Sequence, residues 1–555
     1  MLDAVAPPLG FGQYQSIDLS GSRGRRRLAT LDHLAETISG FAEANPALHE
    51  AAPKPPVPKP QIYRSRGFIF LLIAAFLSMG AFGAWRMLGR GHESPTVKVA
   101  AADHSQATLR LARDLTVMLG SLQSVKDKSM RLLDNGGKTS VGADLIFEAS
   151  ANSRQPEASL VLYSGNDRTI LWARDFKPPS GNPSDLKQQL THTAGRVLDC
   201  ALDTFGSDGK RLKPQTRALY LNGCAQFAEL IGTNTTRVIP LFLKVTEEAP
   251  WFEPGWAKLL LAETSITGWP FVAQDLTTDR RIRQHIKQAR SLNPRLAEAA
   301  LAEINLLPST SLVERTKLID QALAAEPDNA TLLASRSKLH VSVGLWNNAV
   351  QDSKRASQLE PLSPAFRHAY ISVLAHAGQL EAAFAELEKA ERLWPGASNM
   401  IDARFRLHIF YGNPREALRL LRTGATDFPF SIEPVLTTKI DPSAVNLARA
   451  RDLVRFSLRQ NISNPTGPVQ GYADFGIEDE LYSVLDPLIH TDPEVFAVLF
   501  RPTFRTFRSD TRFIQLAARF GLVNYWKKTS KWPDFCLAPE LPYDCKIEAA
   551  KINLN

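Results

Sequence analysis

A period of 34 residues is the feature that most limits how this chain can fold. Three residue types recur at that spacing, each in its own register: Pro327, Pro361, Pro395 and Pro429; Gly344, Gly378 and Gly412; Ala349, Ala383 and Ala417. A proline ends a helix, a glycine suits the turn between two helices, and an alanine lets two helices approach closely. The period therefore predicts a stack of helical hairpins in which each unit packs on its neighbours.

The spacing is similar to that of the tetratricopeptide repeat (TPR), a helical hairpin with a 34-residue period. As the resemblance implies, each unit has a second small contact before its proline, at Ala322, Ala356 and Ala390. The small residue that is usual in the first TPR helix is replaced here by Ser337, Ile371 and Phe405, so the repeats are degenerate. We expect a TPR-like α-solenoid over residues 214–528.

In stacked TPR units the first helices line a concave groove, and the resemblance implies which side chains face it here: Lys338, His368, His376, Asp402 and Arg406. We expect a protein or peptide partner in this groove. The alternative for each of these positions is an ordinary solvated residue. A metal site is not expected, because His368 and His376 are eight residues apart with no carboxylate at matching spacing.

An apolar segment precedes the repeats. From Gly67 the chain reads GFIFLLIAAFLSMGAFGAW, nineteen residues without a charge, which at about 1.5 Å per residue nearly spans a hydrocarbon core of about 30 Å. We predict one transmembrane helix over residues 67–88. It follows 66 residues, which favours an uncleaved anchor over a cleaved signal peptide.

The charge distribution predicts the orientation of that helix. Eight Lys/Arg residues precede it, and Arg64 and Arg66 adjoin it, which favours a cytoplasmic N-terminus; Arg86, Arg90 and Lys98 weaken the contrast. We expect a single-pass inner-membrane protein with a periplasmic C-terminal region. Residues 1–52 are expected to be a largely disordered basic tail, and residues 53–66, with PKPPVPKP, a proline-rich linker.

The cysteines agree with this topology, because all of them follow the apolar segment: Cys200, Cys224, Cys536 and Cys545. Separations of 24 and nine residues suit two local disulfides in an oxidising compartment, and the alternative is four buried thiols. The second pair predicts a disulfide-closed cap over residues 529–555. We expect Trp526 and Trp532 to cover the exposed apolar face of the last repeat.

The segment 96–205 differs from the repeats. It contains strand-like runs at 97–101, 143–153 and 158–176, the last split at Ser164–Asp167 as a hairpin would be, between helical patterns at 105–122 and 185–202. The order GADLIFEAS, hairpin, ILWARDF, helix resembles the TolB-N-like domain in the non-cytoplasmic halves of CadC-type regulators and of TPR proteins classed as adenylate cyclases. The terminal GLVNYWKKTSKWPDFC and LPYDC are similar to the end of those proteins.

The expected fold class is thus mainly α, with one transmembrane helix, a small α/β domain and a TPR-like solenoid. The chain has no GxGxxG, P-loop, GxSxG or HExxH motif, so we expect neither an enzyme nor a cofactor. A net charge of +8 without a dense basic stripe predicts no nucleic-acid partner.

The favoured interpretation is an interaction scaffold or sensory domain. The alternative is a membrane-bound transcriptional regulator or signalling subunit of the CadC type with a reduced cytoplasmic part, since residues 1–66 are too short for a winged helix. The oligomeric state is left open.

Overall fold

The computed structural model describes residues 94–552 except for 124–129, 134–141, 153–154, 156, 178–182, 206–209, 228–236, 268–275, 309, 362, 425–431, 461–465 and 486–493. The chain divides into two compact units, Met1–Gly91 and His92–Asn555, and all described residues belong to the second. The predicted tail, linker and transmembrane helix at 67–88 lie outside the described residues, as does Pro429. Among the residues that are described, none of the helices combines the length and apolarity that crossing a bilayer requires.

The N-terminal part is a five-stranded sheet in the order β2-β1-β3-β4-β5. The strands are β1 (Thr96–Ala101), β2 (Arg131–Leu133), β3 (Leu145–Ala151), β4 (Ala158–Ser164) and β5 (Ile170–Phe176). β1 pairs in parallel with β2 and β3, and the remaining pairs are antiparallel. The alternation of Leu145, Phe147 and Ala149 with half-buried residues puts one face of β3 in the core, as period two requires. Helices α1 (Gln106–Gln123) and α2 (Pro183–Asp203) accompany this sheet.

The rest of the described chain is helical. Its longer helices are α3 (Pro214–Phe227), α4 (Ile239–Glu248), α5 (Glu253–Thr267), α6 (Leu276–Leu292), α7 (Ala297–Leu306), α8 (Leu312–Ala325), α9 (Ala330–Ser342), α10 (Trp346–Leu359), α11 (Pro364–His376), α12 (Leu380–Leu393), α13 (Ser398–Phe410), α14 (Pro414–Arg422), α15 (Glu433–Ile440), α16 (Ala444–Gln460) and α17 (Thr466–Asp474). Shorter helices follow: α18 (Leu481–Val484), α19 (Glu494–Leu499), α20 (Arg505–Arg508), α21 (Arg512–Arg519), α22 (Leu522–Thr529) and α23 (Cys545–Ala550).

The hairpins α9/α10, α11/α12 and α13/α14 carry the predicted repeat. Helices α8, α10 and α12 end just before Pro327, Pro361 and Pro395. Gly344 and Gly378 have φ of +81° and +80°, a backbone conformation that glycine adopts at little cost. Gly412 is required for a different reason. A Cβ there would lie 2.8 Å from Nδ1 of His408, which is too close for any larger residue unless His408 moves. Both the turns and the ends of these helices follow the sequence register.

The alanine register marks the contacts between helices. Ala349, Ala383 and Ala417 are completely buried. The substituted positions Ser337, Ile371 and Phe405 are also buried, and the hydroxyl of Ser337 donates to the carbonyl oxygen of Ala349 at 2.8 Å. These repeats therefore accommodate larger side chains in the first helix and still pack as TPR-like hairpins.

The turns within successive hairpins, at Thr310, Gly344 and Gly378, lie along one edge of the stack, which we call the turn edge. The C-terminal region, which includes Pro502 and Pro533, packs along this edge. A Cβ at Gly344 would lie 2.7 Å from Cβ of Pro533, and one at Gly378 would lie 3.5 Å from Cγ of Pro502. The backbone N–H of Asp534 donates to the carbonyl oxygen of Gly344 at 3.0 Å. The stack is thus closed by its own C-terminal region.

This closure corrects the expectation for Trp526. Its indole is completely buried and donates to the carbonyl oxygen of Val343 at 3.0 Å, and Trp532 lies beside it with ring centroids 6.1 Å apart. Trp526 therefore covers the turn of α9/α10 rather than the end of the last repeat. The prediction was wrong because it assumed an open solenoid, whose final apolar face needs a cap.

Both predicted cysteine pairs are bonded. Cys200–Cys224 joins α2 to α3, with 6.6 Å between Cα atoms, and Cys536–Cys545 closes the C-terminal loop, with 5.8 Å. Helix α2 also reaches the opposite edge of the stack, where the rings of His192 and Trp394 are 5.1 Å apart. The sheet is thereby attached to the helical repeats at sites far apart in sequence.

Candidate binding groove

Corresponding positions of neighbouring repeats touch on the first helices. His368 on α11 and Asp402 on α13 are 34 residues apart, and Nε2 of His368 lies 2.8 Å from Oδ2 of Asp402. One period along the chain is thus one step across the stack. The same register relates Lys338 on α9 to Arg406 on α13, two periods later. The first helices α9, α11 and α13 therefore form one surface on which equivalent positions of successive repeats lie side by side.

The predicted residues His368, Asp402 and Arg406 form one cluster on this surface. Nε of Arg406 donates to Oδ2 of Asp402 at 2.6 Å, so this oxygen contacts both partners. Burial would raise the pKa of Asp402, but the His368 hydrogen bond and the Arg406 charge outweigh it and lower the pKa to about 2. The side chains are 22%, 18% and 41% exposed, respectively, so the cluster is partly accessible, and the Asp402 carboxyl is ionised at pH 7.

His376 adjoins this cluster but is enclosed by aromatic rings. Its centroid is 6.0 Å from that of Trp346 and 6.3 Å from that of Tyr411. Burial, together with the charges of Arg501 and Arg406, lowers the pKa of His376 well below its usual value, so the imidazole is neutral at pH 7. As a groove contact His376 would act as a neutral hydrogen-bonding group within an aromatic wall.

Tyr411 brings an unusual polar atom to the same wall. Its hydroxyl is buried, and no hydrogen-bond partner for it occurs among the residues that the structure describes. Burial raises the pKa of Tyr411 to about 12. A buried hydroxyl without a partner carries a free-energy cost that a bound acceptor or donor would remove.

Sequence reasoning missed the polar network that adjoins this wall. The guanidinium of Arg501 lies 4.5 Å from the ring centroid of Phe410, and its Nη1 donates to Oε1 of Gln470 at 2.9 Å. Nε2 of Gln470 donates to Asp474, which also forms an ion pair with Lys439 at 2.7 Å. These residues lie outside the three repeat registers, so the period gives no signal for them.

Lys338, the remaining predicted contact, is exposed on α9. The structure thus joins His368, Asp402 and Arg406 directly and places His376 beside them. Lys338 lies in the repeat before that of His368, two periods before Arg406. Within the described ranges, no three His, Cys, Asp or Glu side chains are grouped so that they could hold a metal ion.

These observations define a helical-repeat protein with TPR-like hairpins, attached to a small α/β region with a five-stranded sheet. No protein-family profile and no curated protein matches the chain. Among solved structures, it is similar to yeast Tom70, at 15% identity over 66% of this chain and 79% of that chain, with a TM-score of 0.30. It is also similar to the human IFIT1 dimer with PPP-AAAA, at 16% identity over 60% and 80%, with a TM-score of 0.32. The assignment of the repeat rests on the period, the turns and the hairpins of this chain.

Proposed function

We propose that this chain is an interaction protein whose inner surface, formed by α9, α11 and α13, holds a protein or peptide partner. The observation that carries the proposal is the contact between His368 and Asp402, together with Arg406. This cluster brings accessible polar and charged side chains from two successive hairpins into contact. Because the side chains are already held by one another, little ordering entropy is lost when they contact a partner.

The neighbouring wall supplies the second part of such a surface. Trp346, His376 and Tyr411 offer rings, and arginine and aromatic side chains are enriched at protein interfaces. A peptide that crosses the repeats would place polar groups on the ion-pair cluster and apolar groups on this wall. We propose binding rather than catalysis, since the surface offers contacts across several hairpins.

We further propose that residues 67–88 anchor the chain in the inner membrane, with the N-terminus cytoplasmic and the described region periplasmic. The two disulfides support this location, because such bonds persist in oxidising compartments. The positive residues before the apolar segment support the same orientation.

Site-specific photocrosslinking of the full chain in its own cells tests the groove. A photoreactive residue replaces Ser372, which lies one period after Lys338 and one before Arg406, or, as the control, Glu388, which is exposed on the second helix α12. We expect a discrete adduct from position 372 that is absent from position 388. No adduct from position 372, or equal adducts from both positions, would overturn the proposal.

A further inference from the structure

Helix α16 carries an exposed stripe that the groove does not use. Val445, Arg449, Asp452, Phe456 and Arg459 are spaced by four, three, four and three residues, which places them on one face of the helix. Val445 is 61% exposed and Phe456 58%, and the Asp452 side chain is 79% exposed.

The opposite face of α16 is already used. Ala450, Val454 and Leu458 are buried and belong to the main hydrophobic core. The exposed stripe is therefore not needed to attach the helix to the rest of the chain. Its two large apolar side chains, Val445 and Phe456, lie on either side of Arg449 and Asp452 and are consistent with a contact surface.

The part of the stripe from Val445 to Phe456 is complementary to itself. Val445 and Phe456 are equally far from the midpoint between residues 450 and 451, and so are Arg449 and Asp452. When two copies of a helix cross antiparallel about a two-fold axis at that midpoint, each residue faces the one at the mirrored position. Val445 then faces the partner's Phe456, and Arg449 faces the partner's Asp452. One symmetry operation thus pairs apolar with apolar and cation with anion.

We propose that α16 is the dimer contact of this protein and that its occupant is α16 of a second copy, in this antiparallel register. The stripe belongs to the second helix of its hairpin, so the proposal does not depend on the groove or on its partner.

The ion pairs within the chain leave these charges available. Arg449 is exposed, and it forms no ion pair among the described residues. Asp452 contacts Arg455 at 3.2 Å, but Arg455 also pairs with Glu480 at 2.6 Å. Asp452 can therefore contact the partner's Arg449 while Arg455 keeps Glu480.

The expected strength follows from the size of the contact. A pair of helices of this length buries less than the roughly 1,200–2,000 Å² of a standard stable interface, so the dimer is expected to be reversible and dependent on concentration. An anchor at 67–88 would raise the local concentration of copies in the plane of the membrane.

Sedimentation equilibrium of the full chain in nonionic detergent tests the proposal. The wild-type protein is expected to show a reversible monomer–dimer equilibrium. Arg449→Asp places two carboxylates opposite each other at both symmetry-related contacts, and Asp452→Arg places two guanidinium groups there. Each substitution is expected to weaken the dimer by about tenfold or more, since like charges in apposition are strongly unfavourable. Arg283→Asp, at an exposed position of α6, is the matched control and should leave the equilibrium unchanged.

Charge exchange separates this contact from a general loss of folding. A mixture of the Arg449→Asp and Asp452→Arg chains is expected to form a heterodimer, because both contacts then join opposite charges. The double variant Arg449→Asp/Asp452→Arg should recover the homodimer. A wild-type chain that stays monomeric, a dimer that Arg449→Asp leaves unchanged, or single variants that fail to complement each other would each overturn the proposal.

Discussion

Nε1 of Trp526 donates to the carbonyl oxygen of Val343, which lies 183 residues earlier, at 3.0 Å. This bond joins the C-terminal region to the turn edge, and it is enclosed by Phe500 and Trp532. The contact therefore holds together parts of the chain that the repeat alone would leave apart.

Trp526→Phe is expected to lower the free energy of unfolding by about 2 kcal/mol, because it removes this hydrogen bond and leaves a smaller ring in a filled site. Denaturant unfolding followed by circular dichroism measures the change. Trp532→Phe, at a partly buried ring, is the control and should have a smaller effect. Equal effects of the two substitutions would contradict the role given to Trp526.

Asp402→Asn tests the charge cluster. It removes the carboxylate that accepts from both His368 and Arg406, so adduct formation from position 372 should be lost and the unfolding free energy at pH 7 should fall by about 1–2 kcal/mol. The depressed pKa of Asp402 stabilises the folded chain above pH 3.8, and this contribution is lost as the pH falls towards about 2. Glu388→Gln, on the outer helix, should change neither quantity. An unaltered adduct in Asp402→Asn would show that the cluster does not contact the partner.

His192 makes folding sensitive to acid. Burial, followed by the charge of Arg196, lowers its pKa from 6.5 to about 4, so between these values the unfolded chain binds a proton that the folded chain does not. Stability should therefore decrease as the pH falls below 6.5. His192→Gln should reduce the loss between pH 7 and pH 5 by up to about 2 kcal/mol. Denaturant unfolding at the two pH values measures it, and identical losses in both chains would contradict the assignment.

The disulfide Cys536–Cys545 closes the loop that follows Asp534, whose Oδ2 accepts from the backbone N–H of Asn347 at 2.8 Å. Replacing both cysteines with serine should cost about 2–3 kcal/mol of stability, because the closed loop restricts the unfolded chain. Peptide mapping without reduction, on protein taken directly from cells with thiols blocked, should recover both linked pairs. Four free thiols in that sample would contradict both the bonds and the proposed compartment.

The sequence predicted the features that depend on residues close to one another along the chain. The spacing of Gly344 and Gly378 located the turns, and the apolar alternation located β3, because such patterns reflect local backbone conformation and adjacent packing. β2 was missed because three residues are too few to show a period.

Contacts between segments far apart in the sequence could not be predicted from residue spacing. The bond from Trp526 to Val343 and the stacking of Arg501 on Phe410 depend on how far the stack curves, which no spacing records. Of the candidate groove, the pairing of His368 with Asp402 was available in principle, since the two are one period apart. Arg501 and Gln470 were not, because they lie outside the repeat.

The packing of Pro502, Pro533 and Asp534 on the turn edge has a mechanical consequence. An open stack of hairpins behaves as a spring, because each unit contacts only its neighbours and small rotations add up along its length. In this protein the C-terminal region contacts successive turns of the stack, so it resists both the stretching and the unwinding of the stack. The inner surface should therefore be stiffer than that of an open stack, and the proposed partner should have to match its curvature, so that a ligand needing a wider or a narrower arc is excluded.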